Sequence, residues 1–175
     1  PVENFKCEEG YELLFNGKDL SGWGYRNKKT LAEIENFDGM ATSSEGRYHA
    51  KHGRLVVTTP PEGRSFTQLW TVEELDRDFT LKLEFRANAN ADSGVFIRRP
   101  QLQCRDYLVA GPYKDLKNYK PGDWNEIIVV VKGRIARCTC NGEVLEEDFK
   151  LPKGGPIGLE GDRGQMEYRR IRLKR

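Results

Sequence analysis

The sequence predicts an all-β sandwich or barrel. Three observations lead there. Many short runs alternate apolar and polar residues with a period of two, the signature of half-buried strands. Turn residues punctuate them, with 18 glycines and 8 prolines in 175 residues. Only one short stretch, 30–37, has a helical pattern, and strands at this spacing fit a sandwich rather than alternating strand–helix units.

The elements follow in order. Short strands are expected over Glu12–Phe15, Tyr48–Ala50, Leu55–Thr59 and Gln68–Thr71. Leu81, Leu83 and Phe85 alternate with Lys82, Glu84 and Arg86. Val95 and Ile97 alternate with Phe96 and Arg98, and Leu102 and Cys104 with Gln101, Gln103 and Arg105. The β-branched run Ile127–Val131 predicts a buried strand, and Lys132-Gly133 turns the chain into Ile135–Cys140. Asn141-Gly142 is the strongest hairpin signal, because both residues tolerate the positive φ of a tight two-residue turn. Ile157–Glu160 and Glu167–Leu173 close the chain. No repeat, linker or low-complexity tract appears, so one domain over 1–175 is expected.

Composition narrows the partners. With 29 basic and 27 acidic residues the formal charge is +2, without the basic excess of a nucleic-acid-binding domain. No apolar run reaches the roughly 18 residues of a membrane span. Two histidines, His49 and His52, flank a turn and read as exposed rather than ligating. The four cysteines, Cys7, Cys104, Cys138 and Cys140, contain no C-x-x-C and read against a zinc site. Cys138 and Cys140 share a strand face, so Cys104 could pair with one of them, or all could be small buried hydrophobes. The chain begins at Pro1, which fits a removed signal peptide or a trimmed end.

Alternation also sorts the polar residues. If the apolar positions face the core, Glu84, Arg86, Arg98, Gln101, Gln103 and Arg105 lie on the opposite strand faces. Were those strands neighbours, one sheet would carry carboxylates, guanidiniums and amides together. Trp23, Trp70 and Trp124 could add flat faces for sugar stacking, or simply pack. Glu84, Asp92, Asp106, Glu160 and Asp162 could supply acid–base pairs, or pair with the many arginines.

Several strings, in order, resemble one family. They are E-L-L-F-N-G-K-D-L-S-G-W (12–23), H-G-R-L-V-V (52–57), D-F-T-L-K-L-E-F-R (78–86), D-S-G-V-F-I-R (92–98), P-G-D-W-N-E (121–126), N-G-E-V-L (141–145), G-P-I-G-L-E (155–160) and Y-R-R-I-R-L (168–173). Together they resemble the 3-keto-disaccharide hydrolase family, also described as 3-keto-glycoside lyases. The resemblance implies a concanavalin A-like jelly-roll β-sandwich of two antiparallel sheets. It also implies a secreted or periplasmic bacterial domain acting on oxidised glycosides, with a sugar dehydrogenase supplying the 3-keto substrate. The chain departs from the family at the site. Gln101 stands at a usual glutamate, Gln103 matches, and Glu160 is not followed by the usual histidine.

A C3 ketone acidifies the C2–H, so a base can form an enolate and expel the C1 substituent. The residues assigned are Glu160 or Glu84 as base with Asp162 behind, and Arg98 and Arg86 as enolate stabilisers. Asp106 would be the leaving-group acid. Gln101, Gln103 and Arg105 would bind substrate, with Trp70, Trp124 and Tyr107 as walls. A divalent cation such as calcium could replace an arginine, although no ligand spacing identifies one. The alternative is a non-catalytic carbohydrate-binding module using the same groove. Several arginines on the groove face argue for an enzyme or an acidic ligand.

Overall fold

The computed structural model describes residues 4–58, 67–106, 112–163 and 165–175. Fourteen strands in this part form two antiparallel sheets. They are β1 (Glu12–Leu13), β2 (Trp23–Arg26), β3 (Glu33–Asn36), β4 (Tyr48–Lys51), β5 (Arg54–Val57), β6 (Leu69–Thr71) and β7 (Phe79–Ala87), followed by β8 (Asp92–Ile97), β9 (Gln101–Arg105), β10 (Asn125–Lys132), β11 (Ile135–Cys140), β12 (Glu143–Lys150), β13 (Ile157–Arg163) and β14 (Met166–Lys174). One sheet runs β12-β11-β10-β7-β14-β5-β4, with β1 on β14. The other runs β3-β2-β6-β13-β8-β9. The fold is a jelly-roll sandwich. Among the described residues no helix is long and apolar enough to cross a membrane.

The core lies between the sheets, as period-two strands require. β7 alternates buried and half-buried residues along its whole length, sending Phe79, Leu81, Leu83, Phe85 and Ala87 inward. Ile127, Val129 and Val131 of β10 meet them from the same sheet. Trp23, Leu69, Val95, Ile97, Ile157 and Leu159 close the core from the six-stranded sheet. Asn141 (φ 49°) and Gly142 (φ 85°) make the expected turn between β11 and β12.

The stretch 30–37 is not a helix. Leu31 takes a left-handed conformation (φ 59°), which interrupts a helix, and Glu33–Asn36 pair with β2 as an exposed edge strand. Trp23 is not a groove residue. It is fully buried, and its Nε1 donates to Leu14 O at 3.0 Å. The cysteines are all free thiols, and Cys104, Cys138 and Cys140 are buried. His52 sits in the turn between β4 and β5 (φ 51°).

One expectation about faces is corrected. Glu84 and Arg86 lie on β7 of the eight-stranded sheet, whereas Gln101, Gln103 and Arg105 lie on β9 of the six-stranded sheet. Their outward side chains therefore point away from opposite sides of the sandwich. Alternation orients a side chain relative to its own sheet and carries no information about which sheet its strand joins.

Candidate functional site

The outer face of the six-stranded sheet holds the main cluster. Cross-strand register places Trp70, Gly158, Phe96 and Gln101 in one row over β6, β13, β8 and β9. Glu160, Gly94 and Gln103 form the next row, and Asp92 and Arg105 the one after. The two outward glycines leave room for large neighbours. The Trp70 ring lies over Gly158, where an added Cβ would stand 2.6 Å from Cε3. Gln101 lies likewise over Gly94, where a Cβ would stand 2.5 Å from its Cγ.

Glu160 is the centre of this cluster. It is only 4% exposed. Gln101 Nε2 donates to its Oε1 at 2.8 Å, and Gln68 Nε2 donates to its Oε2 at 3.1 Å. Burying a carboxylate is costly unless it is hydrogen-bonded, and amide donors from β9 and from the residue before β6 both offset that cost and aim the group. Trp70 and Phe96 sit alongside as a tilted pair, with ring centroids 5.3 Å apart. Phe96 is half-buried. Trp70 is nearly buried, and its Nε1 has no hydrogen-bond partner among the described residues. Arg105 and Asp92 form an ion pair at 2.7 Å. The β2–β3 loop is tied to the β8–β9 turn by Arg99 Nη2, which donates to Lys29 O at 2.9 Å. Beside β9 a cavity of about 160 Å³ is lined by Gln101, Leu102, Gln103, Tyr113, Leu145 and Glu146.

Sequence reasoning named five members of this cluster: Glu160, Gln101, Gln103, Arg105 and Trp70. It missed Gln68 and Phe96 as site residues. Both were legible by alternation, since Gln68 shares a face with Trp70, and Phe96 points away from Val95 and Ile97.

The other assignments fall elsewhere. Arg98 lies apart from this cluster. It is 1% exposed, and its guanidinium donates to the carbonyls of Leu75, Arg77, Gly133 and Pro152, at 2.7, 2.8, 2.7 and 3.3 Å. Its positive φ of 55° ends the alternation of β8 and turns the side chain between loops. Asp106 is a buried loop anchor. It accepts from Asn90 N at 2.8 Å and Tyr119 OH at 3.3 Å.

Glu84, Arg86 and Trp124 belong to a ladder on the opposite sheet. Glu84 accepts from Arg169 at 2.9 Å and Arg170 at 3.0 Å. Arg86 and Arg54 both pair with Glu167 at 2.6 Å. Trp124 contacts two guanidiniums, with Arg86 4.7 Å and Arg169 3.9 Å from its ring centroid. A register shift in β14 between Arg169 and Arg172 lets two successive arginines reach Glu84. Tyr107 and the Asp162 side chain lie outside the described residues. Among the described residues no group of three or more His, Cys, Asp or Glu side chains is placed to hold a metal ion.

Residues 10–174 match the family described as the 3-keto-alpha-glucoside-1,2-lyase-like domain. The chain belongs to this family. No curated protein matches it at a significant level. Among solved structures, a provisionally assigned glycosyl hydrolase from Parabacteroides distasonis is similar, with a TM-score of 0.68 and 18% identity over 95% of this chain and 94% of that one. An alginate lyase from Corynebacterium sp. aligns with a TM-score of 0.56 and 13% identity, over 95% and 99% of the two chains. A carbohydrate-binding module from Bacillus subtilis aligns with a TM-score of 0.52 and 9% identity, over 90% and 98%. At these identities the likenesses show a shared sandwich fold. This member of the 3-keto-alpha-glucoside-1,2-lyase-like family is therefore a carbohydrate-active domain of glycosyl hydrolase-like fold.

Proposed function

We propose that the outer face of the six-stranded sheet binds a 3-keto-glycoside and cleaves it by elimination, with Glu160 as the base. The observation that carries this reading is the buried Glu160 carboxylate, aimed by Gln101 and Gln68 beside the Trp70–Phe96 pair. Its membership of a family described as 1,2-lyase-like supplies the reaction class.

The steps balance without an external oxidant. Glu160 takes the C2 proton, and the C2–H electrons form the C2=C3 bond of an enolate whose charge rests on O3. The enolate collapses back to the ketone, C1=C2 forms, and the C1–O bond breaks. The departing oxygen takes a proton from the protonated Glu160 or from water. Water then adds across C1=C2, so the net change is hydrolysis. Arg105 is the cation assigned to O3, because it stands on the same face one row from Gln103. The cavity beside β9 would take part of the leaving group. The substrate itself requires prior oxidation at C3, the work of a sugar dehydrogenase.

The second reading is a carbohydrate-binding module on the same face. The Gln101 substitution at the family's usual glutamate favours it, since an amide there orients hydroxyls and moves no proton.

Product detection by mass spectrometry separates the two. The protein is mixed with a panel of 3-keto-glucosides and their unoxidised parents, with chelator or calcium in parallel. Release of the aglycone from the keto forms alone is expected, with a loss of about 10²-fold or more in Glu160→Gln. Saturable sugar binding without any product would establish the binding module instead.

A further inference from the structure

Just after Glu160 and Gly161, β13 leaves regular pairing. Its register with β8 shifts between Gly161 and Arg163, and it pairs with β6 through Gly158 and Leu159. Two successive carbonyls here, those of Glu160 and Gly161, accept buried side-chain donors. Tyr48 OH donates to Thr67 O at 2.5 Å and lies 3.4 Å from Leu159 O. Tyr168 OH donates to Glu160 O at 2.8 Å, and Ser93 Oγ donates to the same oxygen. Arg47 Nη2 donates to Gly161 O. Ser93 Oγ and Tyr168 OH are themselves 2.9 Å apart.

The origin of these donors matters. Tyr48 and Tyr168 come from β4 and β14 of the opposite sheet, and both are fully buried. A buried hydroxyl is costly unless it is bonded, so phenylalanine would fill either place more simply. The Tyr168 hydroxyl reaches across the core to one short piece of β13 backbone. That piece carries the Glu160 side chain to the outer face.

We infer that Tyr168, together with Ser93, is a positioning residue for Glu160. The two hydroxyls fix the Glu160 peptide from below, while Gln101 and Gln68 fix its carboxylate from the sheet surface. A carboxylate held at both ends keeps one orientation, and small misplacements of a reacting group are costly to rate. This inference rests on the reading of Glu160 as the base, but it also makes a claim about the resting protein. Loss of the Tyr168 hydroxyl lets the peptide tilt and disturbs the amide clamp above.

The test compares wild type, Tyr168→Phe and Val129→Ala. Val129 is buried on β10 of the other sheet, so its truncation is a control for general destabilisation. Two readouts are taken. One is the side-chain amide NMR signals of Gln101 and Gln68, which report their bonds to Glu160 and need no substrate. The other is kcat and KM on a 3-keto-glucoside. Tyr168→Phe is expected to move both amide signals and to lower kcat about 10- to 100-fold, with KM held within about threefold. Val129→Ala is expected to lower Tm and leave the amide signals and kcat in place. Unmoved amide signals in Tyr168→Phe would overturn the inference. So would an equal kcat loss in Val129→Ala. Moved amide signals in a protein that turns over no keto-glycoside would uphold the coupling and remove the base reading instead.

Discussion

The side chain of Gln101 lies across Gly94 to donate to Glu160 at 2.8 Å. The missing side chain at 94 is what lets an edge-strand amide reach a carboxylate two strands away, about 10 Å across the sheet. Ala at 94 would put a Cβ 2.5 Å from Gln101 Cγ and 2.8 Å from its Cδ. Gln101 is flexible and borders solvent, so it would swing away rather than force the strand apart. Gly94→Ala is therefore expected to cost about 1 kcal/mol or less in stability. It should reduce sugar binding or turnover about tenfold, the worth of one lost hydrogen bond to a charged group. Thermal melts and ligand titration on the same variant check both halves. A large drop in Tm with intact binding would contradict the assignment of Gln101.

Arg98 illustrates the opposite case, a cation with a structural task. Its guanidinium holds the carbonyls of Leu75, Arg77, Gly133 and Pro152 and lies 5.6 Å from the Phe79 ring centroid. Removing it leaves several carbonyls without this donor in a poorly solvated place. Arg98→Met is expected to lower the unfolding free energy by about 3 kcal/mol or more, read from urea denaturation. Binding on the six-stranded face should persist below the new melting transition. Loss of binding without loss of stability would return Arg98 to the site.

The two arginines show what alternation can and cannot reveal. Arg105 was legible as an outward residue because β9 alternates without interruption. Arg98 continued the same pattern on paper, but its positive φ at the end of β8 rotates the side chain out of it. Glu84 and Arg86 alternate as cleanly as Gln101 and Gln103. Their misplacement came from sheet membership, which is decided by long-range packing. β2 and β3 were hidden for complementary reasons. Every residue of β2 is buried and every residue of β3 is exposed, so neither shows a period of two.

Trp124 is expected to matter for stability and not for sugars. Its ring lies against Arg86 and Arg169 of the eight-stranded sheet. Each guanidinium–ring contact is worth about 1 kcal/mol at a partly exposed site. Trp124→Ala should thus destabilise the protein by about 2 kcal/mol in urea titrations. Ligand affinity should be unchanged, whereas Trp70→Ala should weaken it about tenfold or more, because the aromatic ring that packs beside Glu160 and Phe96 is lost. The reverse order of effects would move the site to the other sheet.

Acid stability should depend on Glu8. The Arg172 guanidinium bonded to Glu8 holds its carboxyl down at about 2, with Lys82 adding to the effect. Its ordinary value is about 4.3. The folded state therefore binds fewer protons than the unfolded state between these values. The stabilisation is complete above the ordinary value and fades as pH falls toward about 2. Tm measured from pH 5 to pH 2 should fall more steeply in wild type than in Glu8→Gln. Parallel curves would mean that the Glu8–Arg172 contact contributes nothing to folding in solution.

The thiols offer a direct count. Burial pushes Cys138 and Cys140 up to about 12, and Cys104 is raised further. Only the thiolate reacts readily, so at pH 8 these three should be inert in the folded protein. Cys7 is partly exposed and only modestly shielded, so it should react first. Titration with an aromatic disulfide reagent is expected to find one fast thiol in native protein and four in denaturant. Two thiols in denaturant would reveal one disulfide and revive a pairing of Cys104 with Cys138 or Cys140. Four would leave the core cysteines as small apolar packing groups, with hydrophobic burial holding the two sheets together and no covalent bridge between them.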